Sequence, residues 1–208
     1  MMRALGLACL MIAVAAPASA ADCSKDVLAA FEKQRTSKVF RVEFSQPSAE
    51  GEVHMVIDYM PPDKMLQTVT SPAMPGEQQT MLIGNRAYAG SGGAFEELLP
   101  QFTQSIIAEF ASAVGEPKNL GDFECVGNLK LDDQDFVAYR LAEKAAEGAD
   151  PSTVMARTVY VDPASGKPAY NIIAALGGSA PPALKVKYSY PTDVEIVAPA
   201  NAPVQKLH

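Results

Sequence analysis

Residues 39–44 alternate: Phe40, Val42 and Phe44 point one way, Arg41 and Glu43 the other. A period of two marks a strand with one face buried. The pattern recurs at 52–60, where Val53, Met55, Ile57 and Tyr59 share a face opposite Glu52, His54, Val56, Asp58 and Met60. Pro61, Pro62 and Asp63 stop it, because proline lacks the N–H that a β-ladder needs. A further strand is predicted at 64–70, and a loop with two prolines at 71–76.

The segment 79–114 organises the chain. Met81, Leu82 and Ile83 halt at Gly84 and Asn85; residues 86–89 halt at Gly90, Ser91, Gly92 and Gly93; residues 94–98 follow. Glycine and asparagine supply the positive φ that tight reversals require. The reading is strand, turn, strand, glycine loop, helix. The helix, 100–114, carries Phe102, Ile106, Phe110 and Ala113 in one row, with Ile107 and Val114 beside it, and its one charge is Glu109. A helix on an outer surface usually carries several charges. Two readings follow: an ordinary packed core helix, or a helix lying across the concave side of a curved sheet and covered part of the time.

Around this segment the pattern is mostly strand. Residues 129–131 lead into a turn at 132–135 and 136–141 lead out; 155–161, 170–176 and 185–190 read as strands, with a last short one at Val194 and Ile196. Gly166, in the turn 162–166, suits a left-handed position. Residues 143–152 and 177–182 read as loops. Near the start, Ser24 is placed to cap a helix over 25–35, with Val27, Leu28 and Phe31 as its apolar stripe and Asp26 in its first turn. That makes roughly ten short strands and two helices, an antiparallel meander without βαβ alternation. A sheet of this length must curl or close to manage its edges.

Composition adds the compartment. Residues 1–20 read as a signal peptide: Arg3 gives the positive start, residues 5–16 are apolar, and Ala18, Ser19 and Ala20 form the small-residue cleavage pattern. The mature chain is expected to begin at Ala21, to be soluble, exported and periplasmic, and to keep no transmembrane anchor. A single domain is expected over 21–198, with a disordered Pro- and Ala-rich tail at 199–208. Without Arg3 the chain holds 16 basic against 24 acidic residues, a net charge of −8. This argues against nucleic acid and against a polybasic grip on lipid headgroups. Cys23 and Cys125 remain after cleavage. In an exported chain the expected outcome is a disulfide; two free thiols or a shared metal are the rival readings, and the metal reading has only one internal histidine, His54, to support it.

Catalytic signatures are not evident. His54 sits on a strand flank, where a solvated or hydrogen-bonded role is the ordinary one. Gly90, Ser91, Gly92 and Gly93 match neither a nucleophile elbow nor a phosphate loop. Asp132, Asp133 and Asp135 lack the glycine and distal glutamate of a calcium loop. Glu96 and Glu97 are adjacent, so on a strand they face opposite ways. No catalytic residue, cofactor or metal is assigned. What stands out is methionine: Met55, Met60, Met65, Met74, Met81 and Met155, with no tryptophan. Methionine adapts to irregular apolar shapes, acyl chains and ordinary cores alike.

The order of motifs resembles a known superfamily. Phe44-Ser45-Gln46 is followed by a strand, then Pro62-Asp63-Lys64-Met65, then residues 82–88, then Gly92-Gly93-Ala94-Phe95 and a helix. Val161-Asp162-Pro163, Gly166-Lys167-Pro168 and Val194-Glu195-Ile196 close the series. This is similar to the LolA-like superfamily, the periplasmic lipoprotein carrier with its LppX-like lipid-binding relatives and anti-sigma-factor regulators. Met60 stands where the lipoprotein carrier has an arginine before its proline, and Phe95 where a tryptophan is usual.

The resemblance implies an α+β fold, mostly antiparallel: an unclosed half β-barrel with helices over its concave face and an apolar cavity between. It implies non-enzymatic binding of lipid or another hydrophobic ligand. The expected lining is Met55, Ile57, Met65, Met81, Phe102, Ile106 and Phe110. Expected partners are a lipid or acylated ligand and envelope proteins. The alternative is an envelope interaction or sensor module with a filled core and no lipid.

Overall fold

The computed structural model describes residues 22–116, 120–143, 150–177 and 180–206, with only the backbone of Pro151. The leader, its cleavage site, Cys9, His208, and parts of the expected loops at 143–152 and 177–182 lie outside the described residues.

Two α-helices and eleven strands are present among the described residues: α1 (Ser24–Arg35), β1 (Phe40–Ser48), β2 (Gly51–Met60), β3 (Lys64–Ser71), β4 (Met74–Ile83), β5 (Arg86–Ser91), β6 (Ala94–Glu97), α2 (Pro100–Val114), β7 (Glu124–Leu131), β8 (Gln134–Ala142), β9 (Met155–Val161), β10 (Pro168–Ala175) and β11 (Leu184–Ser189). All the strands join one antiparallel sheet in the order β6-β5-β4-β3-β2-β1-β11-β10-β9-β8-β7. Two meanders therefore meet at the β1–β11 pair, and α2 runs from one outer edge, β6, to the other, β7. A helix that joins the two edges of a sheet must cross one of its faces. The fold is an unclosed α+β half-barrel, as expected from the sequence.

The turns follow local chemistry. Gly84 takes φ 61 in the β4–β5 reversal. Asp132 and Asp133 take φ 50 and 64 between β7 and β8, the paired left-handed geometry that matches the strand twist in a two-residue hairpin. The register then decides the faces. Phe40 pairs with Tyr59, Tyr59 with Met65, Met65 with Leu82 and Leu82 with Ala87. This row lies on the inner face, the one that carries both helices.

Each helix covers one half of that face. Under α2 lie Phe40, Ile57, Tyr59, Met65, Leu82 and Ala87, gathered around Phe110. Under α1 lie Val159 and Val161, packed with Val27, Ala30, Phe31 and Phe123. Cys23 and Cys125 form a disulfide that ties the start of α1 to β7. The main chain reinforces this tie: the Cys23 N–H donates to the Phe123 carbonyl at 2.8 Å.

Four expectations need correction. Ser24 is not the cap of α1 but its first residue; Cys23 occupies the cap position, and the Ser24 hydroxyl accepts from the Phe123 N–H at 2.9 Å. The strand link outcompetes a local cap. The predicted loop 71–76 is shorter, because β4 begins at Met74; Pro75 sits where β4 projects into solvent and tolerates the missing donor. Val194 and Ile196 do not form a strand. Instead Ile196 is buried on the outer face with Met81 and Tyr88, and Lys64 Nζ donates to its carbonyl at 3.2 Å.

The fourth correction concerns the tail, expected to be disordered over 199–208. Residues 203–205 pair with the end of β6: the Glu97 N–H donates to the Pro203 carbonyl and the Gln205 N–H to the Glu97 carbonyl, both at 2.8 Å. An exposed edge strand offers unpaired backbone groups, and the tail satisfies part of the β6 edge.

Candidate ligand-binding site

The inner face beneath α2 is assembled by alternation. In β1, Phe40, Val42 and Phe44 point inward; in β2, Met55, Ile57 and Tyr59 do. The rings of Phe40 and Tyr59 stack with centroids 4.9 Å apart, and Phe110 of α2 sits 6.1 Å from Tyr59. Burial, with the charge of Glu109 adding to it, pushes the Tyr59 phenol up to about 12. Tyr59 and Phe110 are both buried beneath this end of α2.

Between α1 and α2 a cleft of about 290 Å³ opens on the same face, lined by Phe31, Gln34, Phe40, Val42, Tyr59, Ala113, Leu120 and Tyr188, among others. Its walls are apolar, and a few polar groups edge it. Gln34 is buried, its amide nitrogen making no hydrogen bond with a described residue, while the Tyr190 hydroxyl donates to the Pro168 carbonyl at 2.7 Å. Burial raises the Tyr188 and Tyr190 phenols above their ordinary range.

The structure brings together five of the seven residues expected to line the site. Ile57, Met65 and Phe110 are buried in the cluster under α2, and Met55 and Ile106 pack against it. Met81 does not join them. It pairs with Tyr88 across β4 and β5 and faces outward, where it borders a trough of about 930 Å³ between the β5–β6 hairpin and the tail. That trough is lined mainly by small residues, with Phe95 and Val197 as its other large apolar members and Glu96 as its one charge. Phe102 also lies apart, 45% exposed on the open side of α2.

Residues the sequence reading left out include Phe40, Val42, Tyr59, Leu82, Phe31 and Tyr188. The first three were legible as one-sided strands; only the pairing of those strands shows that their faces converge.

His54 lies on the outer face. Its Nδ1 is 3.2 Å from Ser45 Oγ and its Nε2 is 3.8 Å from Glu43 Oε1. Cross-strand register accounts for this trio, since Ser45 pairs with His54. At 3.8 Å the carboxylate is beyond hydrogen-bond reach and does not orient the ring.

The architecture has counterparts among solved structures. LprF from Mycobacterium bovis superposes with a TM-score of 0.52 at 13% identity, over 86% of this chain and 97% of that one. The lipoprotein LppX of Mycobacterium tuberculosis does so at 0.51 with 12% identity, over 82% and 97%. The fold is LolA-like. No protein-family model matches the sequence, and no curated protein does. At these identities the likeness is one of fold. No helix among the described residues is long and apolar enough to cross a membrane.

Proposed function

We propose that this chain is an exported, non-enzymatic carrier or sensor that holds the apolar part of a lipid-like ligand on the inner face of the half-barrel, beneath and beside α2. The observation that carries the reading is the mismatch between the composition of α2 and its burial. α2 has one charge in fifteen residues, yet only Thr103 and Phe110 are buried. Ile106, Ile107, Ala113 and Val114 are partly covered, and Phe102 is exposed.

An apolar helix left half in water gains free energy when more apolar surface covers it, at about 25 cal/mol per Å². An acyl chain entering the adjoining cleft supplies that surface, each buried CH₂ contributing about 0.8 kcal/mol. The shared fold of LprF and LppX agrees with this reading, as does the leader expected from the sequence.

Native mass spectrometry with lipid extraction, on protein recovered from the periplasm without detergent, tests it. A stoichiometric lipid adduct is expected. A clean mass that stays clean after incubation with membrane lipids overturns the proposal and favours an interaction module with a filled core.

A further inference from the structure

The inner faces of the strands are apolar or neutral over most of their length; among the described residues the cations at inward positions are Arg157 of β9 and, at the exposed β7–β8 hairpin end and paired with Asp135, Lys130 of β7. In β9 the inward positions are Met155, Arg157, Val159 and Val161. The register places Arg157 opposite Ile173 of β10 and Leu141 of β8, with Leu184 of β11 beyond Ile173. A charge in such a row costs free energy unless something compensates it.

The compensation in place is partial. The guanidinium lies over two aromatic rings, 5.6 Å from the centroid of Phe123 and 5.9 Å from that of Phe31 in α1. Its Nε donates to Asn171 Oδ1 at 3.0 Å. Asn171 pairs with Val186 of β11, and Tyr188, two residues on, forms part of the wall of the inter-helix cleft. No described carboxylate forms an ion pair with Arg157, in contrast to Arg41 with Asp58 and Arg86 with Glu97. Its Nη nitrogens make no hydrogen bond with a described residue. Arg157 also lines a cleft of about 320 Å³ whose other walls are Leu141, Ala142, Glu143, Met155, Ala156 and Ile173.

A fixed cation lining a cleft that is apolar apart from Glu143 is the complement of an amphiphile with an anionic head. Arginine suits the role because its planar fork stays charged and binds carboxylate or phosphate through two nitrogens. We propose that Arg157 is the headgroup anchor of the carrier. A carboxylate or phosphate docks on the Nη nitrogens, and the adjoining hydrocarbon lies over Leu141, Met155 and Ile173. This rests on the lipid-carrier reading and deepens it by naming the ligand as an anionic amphiphile.

Binding of oleate, methyl oleate, acetate and inorganic phosphate to the purified protein tests the assignment. Oleate is expected to bind at least tenfold more tightly than methyl oleate, the range for a charge-assisted hydrogen bond. Arg157→Met should remove that preference while methyl oleate binding stays within about twofold of wild type, which also reports that the variant is folded. Arg157→Lys should restore part of the preference.

Equal binding of acid and ester to wild type overturns the anchor and leaves the carrier standing, and needs no variant. A preference that survives in Arg157→Met does the same. Acetate or phosphate binding as tightly as oleate makes this a free-anion site and overturns the headgroup assignment. Failure of both oleate and its ester to bind overturns the carrier reading as well.

Discussion

The two helices cover the same face of the same sheet, but they are held by different means. α1 is fixed at its start by a disulfide, by the Cys23–Phe123 main-chain hydrogen bond and by the Ser24 hydroxyl. Its inward residues Val27 and Ala30 are buried. α2 has no covalent tie. Its cap residue Leu99 contributes no side-chain hydrogen bond, and its first turn carries no acid to complement the helix dipole. Phe110, near its end, is 5% exposed, whereas Phe102, near its start, is 45% exposed. The contrast assigns α1 to the scaffold and leaves α2 held by packing, chiefly at Thr103 and Phe110.

The largest expected effect tests the fixed side. Converting Cys23 and Cys125 together to serine opens a loop of sequence separation 102, and should lower unfolding stability by about 4–5 kcal/mol on the chain-entropy model. Urea unfolding measures this. A loss under about 1 kcal/mol would mean that packing alone holds α1, and the contrast with α2 would fall.

Phe110→Ala should cost about 3–4 kcal/mol, the range for emptying a buried aromatic site. Phe102→Ala should stay within about 0.5 kcal/mol of wild type, as an exposed substitution does. Equal effects at the two positions would show that α2 is gripped along its whole length. Hydrogen exchange sharpens the point, because amides of the first two turns of α2 are expected to exchange well before those of α1.

Alkaline pH probes the ring beneath Phe110. Folding holds the Tyr59 phenol at about 12 against an ordinary 10. Between those values the unfolded chain has released the proton and the folded chain has not, so stability falls as pH rises. The loss approaches roughly 2–3 kcal/mol by pH 12. Tyr59→Phe should remove that part of the slope; an unchanged slope would place the sensitivity elsewhere.

The smallest structural effect accompanies the most direct functional one. Phe102→Asp should change stability little, yet it places a charge on the face that a bound chain is proposed to cover. Lipid uptake, read by native mass spectrometry, is expected to be lost. Normal uptake by the folded variant would remove Phe102 from the proposed binding surface.

Much of this was legible in the chain. Pattern and turn residues located β9 and α2 with the bounds the structure has, and placed most other strands within a few residues. Two cysteines in a chain expected to carry an export leader pointed to their pairing. Along β1 and β2, alternation identified the residues that share a face.

Alternation cannot say which face turns inward, or which faces of separate strands converge. Met81, Leu82 and Ile83 are apolar on both sides because both are covered. Leu82 faces α2, whereas Met81 meets Ile196 from the far end of the chain. Nothing local in residues 79–85 announces that second layer.

Arg157 gave a local sign, a lone cation among the inward positions of β9, but its meaning comes from Phe31, Phe123 and Asn171, which lie far from it in sequence or on another strand. The sequence by itself determined most of the strands, the turns and the apolar helix, since each depends on neighbours along the chain, and it supplied the two cysteines whose pairing the fold completes. Tertiary structure alone decided which residues meet beneath α2, which side Met81 faces and what surrounds the inward-facing Arg157, because those depend on register and on chain crossings over long separations.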